Sequence, residues 1–176
     1  AARIAWGLNI QPEIILKKRP APGRLSFPEE HLAVVREGMN RVVNGDGTAV
    51  RSRLEIPGIA MAGKTGTAQV RRIAGSQRGQ SGAWKYRDHG LFVCFAPVDN
   101  PRYGASVVIE HGMGGARAAA PIAKDVLTFL YDREKAMASL EALEAGWGGN
   151  IEQRMASKYA AFQGQPAAPP PLDPTI

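Results

Sequence analysis

The sequence predicts an α/β fold of the α+β kind, an antiparallel sheet flanked by helices, on three observations. Residues 91–96 form a short apolar run bounded by Gly90 and Pro97. Residues 103–110 form a second, separated from the first by the turn residues Asp99-Asn100-Pro101. Two such runs joined by a short turn make an antiparallel hairpin. Two further segments, one upstream and one downstream, carry apolar residues at helical spacing.

In chain order, residues 4–19 alternate loosely and are expected to form strand and loop leading to Pro20. Ser26 and Glu29 then stand at capping-box spacing, with Pro28 in the first turn. Leu32, Val35, Met39 and Val42 follow on one face of a helix. Asn44-Gly45 is expected to end it, a residue tolerant of positive φ followed by glycine. The Pro57-Gly58 turn feeds a strand expected from Ala60 to Val70. Residues 71–87, rich in Gly, Ser, Gln and Arg, read as a long loop ahead of the hairpin. Gly112-Met113-Gly114-Gly115 breaks the sheet after it. Pro121 sits in the first turn of a helix whose buried face is expected to include Ile122, Val126, Phe129 and Leu130. Residues 132–145 extend this helix or form a second one. From Gly164 onward the chain is rich in Pro and Ala, a composition that cannot bury a core and reads as a disordered tail.

Composition excludes several classes of function. At 176 residues and 44% hydrophobic content the chain is sized for one ordinary globular core. No apolar run approaches the ~18 residues a membrane helix needs, and the first residues lack the features of a signal peptide. The net charge of +6 is spread out, and no stacking aromatics alternate with the basic residues, which argues against a nucleic-acid surface. The densest basic group is Arg71, Arg72, Arg78, Lys85 and Arg87. It reads as a solvated loop, or as a rim that draws in an anionic substrate. Cys94 stands alone between Val93 and Phe95 and is expected to be a buried, inert thiol. No Cys/His/Asp spacing suits a metal, and no cofactor is expected.

The chemistry concentrates in Lys64-Thr65-Gly66-Thr67-Ala68-Gln69-Val70, preceded by Met61-Ala62-Gly63. A fixed positive charge, two hydroxyls and a glycine on one strand edge suit a carboxylate and an acyl carbonyl. Gly66 leaves the backbone open to close approach. K-T-G accompanies S-x-x-K and S-D-N in serine acyl-transfer enzymes. Around it, in order, lie residues 35–39 (VREGM), 44–49 (NGDGTA), 56–60 (IPGIA), 88–97 (DHGLFVCFAP), 99–103 (DNPRY) and 107–112 (VVIEHG). This series resembles the C-terminal part of the transpeptidase domain of class B penicillin-binding proteins, strongly over residues 25–131.

The resemblance implies the C-terminal portion of a penicillin-binding-protein/serine-β-lactamase-like fold in residues 1–145, and a C-terminal extension in 146–176. It implies a peptidoglycan D,D-transpeptidase that crosslinks stem peptides through a serine acyl-enzyme and binds β-lactams. Its place would be the bacterial periplasm, with an N-terminal inner-membrane anchor that this sequence does not include. Its partners would be cell-wall elongation proteins, among them a SEDS-family glycosyltransferase. Lys64, Thr65, Gly66 and Thr67 would bind substrate, and the backbone N–H of Thr67 would be one donor of the oxyanion hole.

One departure stands out. None of the seven serines has lysine three residues on, and none has asparagine two residues on. The chain therefore reads as a piece with one wall of the active site and no nucleophile, inactive by itself. Two other readings are a non-catalytic interaction module of cell-wall assembly and a serine β-lactamase fragment. His89 and His111 could act as bases near pH 7, but adjacent strand residues face opposite ways, which separates His89 from Asp88. Both histidines read first as structural or rim residues.

Overall fold

The computed structural model describes residues 1–15, 20–70 and 83–164. The chain divides into two compact units, Ala1–Arg133 and Glu134–Ile176. The first holds a three-stranded antiparallel sheet of order β1-β2-β3, formed by β1 (Ala62–Ala68), β2 (His89–Ala96) and β3 (Tyr103–Ile109). Around it lie α1 (Ala2–Trp6), α2 (Glu29–Asn44) and α3 (Ala120–Tyr131), the last entered through a π-helical turn at Gly115–Ala119. The expected α+β arrangement is present. The three strands of the sheet differ from expectation only at their ends.

The alternation of β2 decides where the core sits. Phe92, Cys94 and Ala96 face one way and join Val43, Leu54, Met61, Ala119, Ala123 and Leu127 in a buried cluster. Their partners on β3, Val107, Ala105 and Tyr103, pack against the same cluster. Phe95 faces the other way, onto Ala5, Met39 and Ala62. Fully burying one such aromatic is worth roughly 1.5–3 kcal/mol, so β2, buried on both faces, is the central strand in energy as well as in order. Burial also pushes the Cys94 thiol up to about 11, with a backbone hydrogen bond from Ala105 acting weakly against it. The inert thiol expected from the sequence is what the fold contains.

Four local expectations are corrected. Residues 2–6 are helical rather than extended; Arg36 donates from Nε to the Ile4 carbonyl at 2.7 Å and pairs with Glu29, fixing α1 to α2. The Ser26 side chain does not cap α2, because the helix starts one residue after Pro28, which is itself the N-cap. The buried face of α2 is Leu32, Met39 and Val43, while Val35 is 44% exposed. Asn44-Gly45 does end α2, yet Gly45 has φ of −102° and uses no left-handed conformation.

The correction at α3 is the largest. The helix buries Ala120, Ala123, Leu127 and Thr128. Ile122, Val126, Phe129 and Leu130, expected inside, are 42–48% exposed. Small residues let a helix approach a sheet closely, and this outweighs the greater area of the large ones. Tyr131 at the end of α3 donates to the Ala96 carbonyl at 2.9 Å and meets the Tyr103 ring edge-on.

The second unit contains most of α4 (Arg133–Gly146) and α5 (Ile151–Gln163), joined by a turn with Gly148 and Gly149 at positive φ. A helix over 151–163 was not expected. Its signal is the reciprocal capping box of Asn150 and Gln153, with both hydrogen bonds at 2.9 Å. Residues 165–176, expected to be a disordered tail, lie outside the described residues, as do residues 71–82 of the expected long loop.

The Phe92 ring, fully buried under β1, gives the first test. Phe92→Ala should cost about 3–5 kcal/mol of stability, read as a lower urea midpoint with little change in slope. A loss below about 1 kcal/mol would mean that β2 is not the centre of the core.

Candidate active site

β1 places the K-T-G-T segment at the edge of the sheet, with Lys64 opposite Val93, Thr65 opposite Phe92, Gly66 opposite Leu91 and Thr67 opposite Gly90. Burial falls along the strand: Ala62 and Gly63 are buried, Thr65 and Gly66 half-buried, Lys64 and Thr67 exposed. The strand enters from the core and emerges into solvent at the residues the sequence singled out.

Period-two alternation puts Thr65 and Thr67 on one face and Lys64 on the other. The Lys64 ammonium folds back along the strand and donates to the Thr65 carbonyl at 2.7 Å. It also borders a hollow of about 490 Å³ whose other side chains, among them Val35, Met39, Val42 and Val93, are apolar. The Thr65 hydroxyl meets that of Thr48 at 2.8 Å. Thr48 was not foreseen as a site residue, though its segment Asn44-Gly45-Asp46-Gly47-Thr48 had been noted. Its position depends on Gly47: a Cβ there would lie 2.2 Å from Val42 Cα, so only glycine lets the chain fold back across the end of α2.

Three further contacts hold the strand from outside. Asn44 donates from its amide to the Met61 carbonyl at 2.9 Å, three residues before Lys64. Gly63 makes room for the Phe92 ring, since a Cβ would meet Phe92 Cζ at 2.3 Å. Gly115 seats the turn before α3 on the sheet. A Cβ on Gly115 would lie 2.0 Å from the Leu91 carbonyl oxygen and 2.7 Å from that of Gly66. The chain's own backbone thus comes close to Gly66 from the turn before α3.

Beyond β1, Asp88 and His89 point to different partners. Asp88 Oδ1 accepts from the Val70 N–H at 3.4 Å, and His89 Nδ1 accepts from the His111 N–H at 2.9 Å. No Asp–His relay forms between them. Lys85 lies within the short helical turn at Trp84–Tyr86 and Arg87 follows it, whereas Arg71, Arg72 and Arg78 fall outside the described residues. Among the described residues no group of three or more His, Cys, Asp or Glu side chains could hold a metal ion, and no helix is long and apolar enough to cross a membrane.

An antiparallel sheet with a K-T-G edge strand and helices on both sides defines a class, and residues 1–128 match the penicillin-binding-protein transpeptidase domain. The chain belongs to that family. Within it, the chain is similar to penicillin-binding protein 2. The chain is 41% identical over 124 residues to the peptidoglycan D,D-transpeptidase MrdA of Acinetobacter baumannii, covering 66% of this chain and 18% of that protein. It matches penicillin-binding protein 2 of Pseudomonas aeruginosa, solved with WCK 5153, at 31% identity and a TM-score of 0.54 over 72% of this chain and 27% of that one. It matches penicillin-binding protein 2 of Helicobacter pylori, solved with MreC, at 26% identity and a TM-score of 0.57 over 74% of this chain and 23% of that one. The chain thus spans about a fifth to a quarter of the length of these relatives.

The contact at Gly115 makes a prediction about the site. Gly115→Ala must push the turn off the Gly66–Leu91 pair, an overpacking cost of about 1–3 kcal/mol. The expected outcome is a lowered melting temperature and a disturbed β1, seen as new chemical shifts for Thr65 to Ala68. Unchanged shifts there would place the strain elsewhere.

Proposed function

We propose that this chain supplies the substrate-binding wall of a peptidoglycan D,D-transpeptidase. In this reaction a serine attacks the penultimate D-Ala carbonyl of a stem peptide and releases the terminal D-Ala. The acyl-enzyme then passes to an amine on a neighbouring stem. Splitting one acyl transfer into two through a covalent intermediate lowers both barriers. The observation that carries the reading is the emergence of Lys64-Thr65-Gly66-Thr67 as the exposed edge of β1. Lys64 and the two threonine hydroxyls address the substrate carboxylate and the hydrogen-bond network of the nucleophile. The Thr67 N–H donates to the developing oxyanion, a contribution worth roughly 3–4 kcal/mol when preorganised.

The serine belongs to a part of the protein outside this sequence. Two features support that reading: the apolar hollow beside Lys64, and the outward Ile122, Val126, Phe129 and Leu130 of α3. Apolar surface on this scale is normally covered by more protein. In the same reading residues 1–145 are the C-terminal portion of the transpeptidase domain and 146–176 an extension. The intact protein works in the periplasm beside elongation partners such as an MreC-type protein and a SEDS-family glycosyltransferase.

Two tests follow. The isolated chain should neither hydrolyse a fluorescent penicillin nor be acylated by it, and a labelled serine seen by mass spectrometry would overturn this. In the intact protein, Lys64→Ala or Thr67→Val removes a side-chain bond to the charged substrate and leaves the Thr67 N–H in place, so the acylation rate should fall at least about tenfold with the melting temperature nearly unchanged. Parallel losses of stability and acylation would make the two residues structural.

A third test concerns solution behaviour. The isolated chain should aggregate or remain molten and gain order when the rest of the domain is supplied in trans. A sharp cooperative melt from a monodisperse monomer would instead favour a self-standing interaction module.

A further inference from the structure

Three segments meet at the exposed end of the K-T-G strand, and two histidines join them. His89, at the start of β2, lies opposite Ala68, the last residue of β1. His111 lies just after β3, and its ring meets that of His89 tilted at 55°, with 4.8 Å between centroids. Trp84, from the turn before β2, also meets the His111 ring, tilted at 58° with 4.1 Å between centroids. The connection after β3 is also conformationally demanding, with His111 at φ 56° and Met113 at φ 67°. Non-glycine residues hold such angles only where contacts over-determine them.

The hydrogen bonds fix opposite tautomers on the two rings. The His111 backbone N–H can only donate, so His89 Nδ1, 2.9 Å away, must be the bare, accepting nitrogen. The Arg87 carbonyl can only accept, so His111 Nδ1, also 2.9 Å away, must carry its hydrogen. The consequence is asymmetric. A proton added to His111 goes to Nε2 and leaves its bond intact. A proton added to His89 goes to Nδ1 and turns an acceptor into a donor facing a donor.

We infer that His89 is a positioning residue whose neutral form holds the 111–115 connection, and through Gly115 the Gly66 backbone, in the working geometry of the site. The path is short. His111 N–H rests on His89, Met113 N–H on the Asp88 carbonyl at 2.8 Å, and Gly115 sits on the Gly66–Leu91 pair. Protonation turns the His89 acceptor into a donor facing the His111 N–H, so the device loosens on acidification. Among the described residues, the ionisable groups on the segments around His89 are His111, whose ring lies against it, Asp88 just before β2, Lys85 and Arg87 in and after the turn at Trp84–Tyr86, Glu110 beside His111, and Arg117 in the π-helical turn packed against β2 and β3. The inference rests on the transpeptidase reading for its catalytic consequence, but not for its structural one.

The test uses the intact protein with two readouts, amide exchange of residues 110–116 and the acylation rate with a fluorescent penicillin, at pH 7.5 and 5.5. Asn at position 89 offers a non-titrating acceptor near the Nδ1 position, and Phe offers none. The wild type should lose exchange protection and about tenfold in acylation at the lower pH, beyond the intrinsic exchange correction. His89→Asn should keep both at both pH values, and His89→Phe should lack both throughout. If His89→Phe keeps wild-type protection, or His89→Asn retains the full pH dependence, the inference is wrong. If no form is acylated, the transpeptidase reading fails while the exchange data still decide the role of His89.

Discussion

The ladder between β1 and β2, running from Ala62–Phe95 to Ala68–His89, carries the core at one end and the site at the other. At the buried end Phe92 fills the space that Gly63 leaves, and Phe95 packs under Ala62. At the open end Gly115 presses on the Gly66–Leu91 pair from the turn that leads into α3. The core and the K-T-G-T edge therefore share one set of backbone hydrogen bonds. Close-packed interiors shift as units rather than deforming by degrees, so a disturbance at Phe92 or Gly115 reaches Lys64 and Thr67 without touching them.

That arrangement explains why the polar residues around the strand matter beyond their modest individual energies. A neutral hydrogen bond contributes only about 1 kcal/mol net. Asn44 on the Met61 carbonyl, Thr48 on Thr65 and Asp88 on the Val70 N–H add little to stability on that scale. Each, however, is fixed to a different neighbouring segment: the end of α2, the loop after it, and the start of β2. They set the position of an edge strand that has a sheet partner on one side only among the described residues. An edge strand held this way presents its free side without closing it.

Much of this was legible in the sequence because its signals are local. The apolar runs at 91–96 and 103–110 and the turn between them gave the hairpin, and the K-T-G context gave the site strand. The misreadings share a different cause. At α3, hydrophobic size pointed to Ile122, Val126, Phe129 and Leu130, while the sheet selected Ala120 and Ala123 because only small side chains permit the close contact. At α2, Val35 obeyed the helical period but fell just outside the arc that Leu32, Met39 and Val43 bury. Gly115 and Thr48 act through neighbours distant in sequence, and no spacing rule reports such contacts. The Asn150–Gln153 box was readable by the same rule applied at Ser26–Glu29, where the structure does not use it.

The two histidines show what tertiary placement adds to residue type. In sequence, His89 next to Asp88 suggests a relay, and His111 before a glycine run suggests a strand end. In the fold the carboxylate and the imidazole serve different amides, and the pairing that counts is between residues 22 positions apart. A backbone N–H that rests on a bare imidazole nitrogen is conditional in a way that one resting on a carbonyl is not, because imidazole can be converted to a donor near neutral pH. The 111–115 connection thus has one strut that responds to protons and one, on the Asp88 carbonyl, that does not. Both struts bear on the same short connection, which seats Gly115 on the Gly66–Leu91 pair.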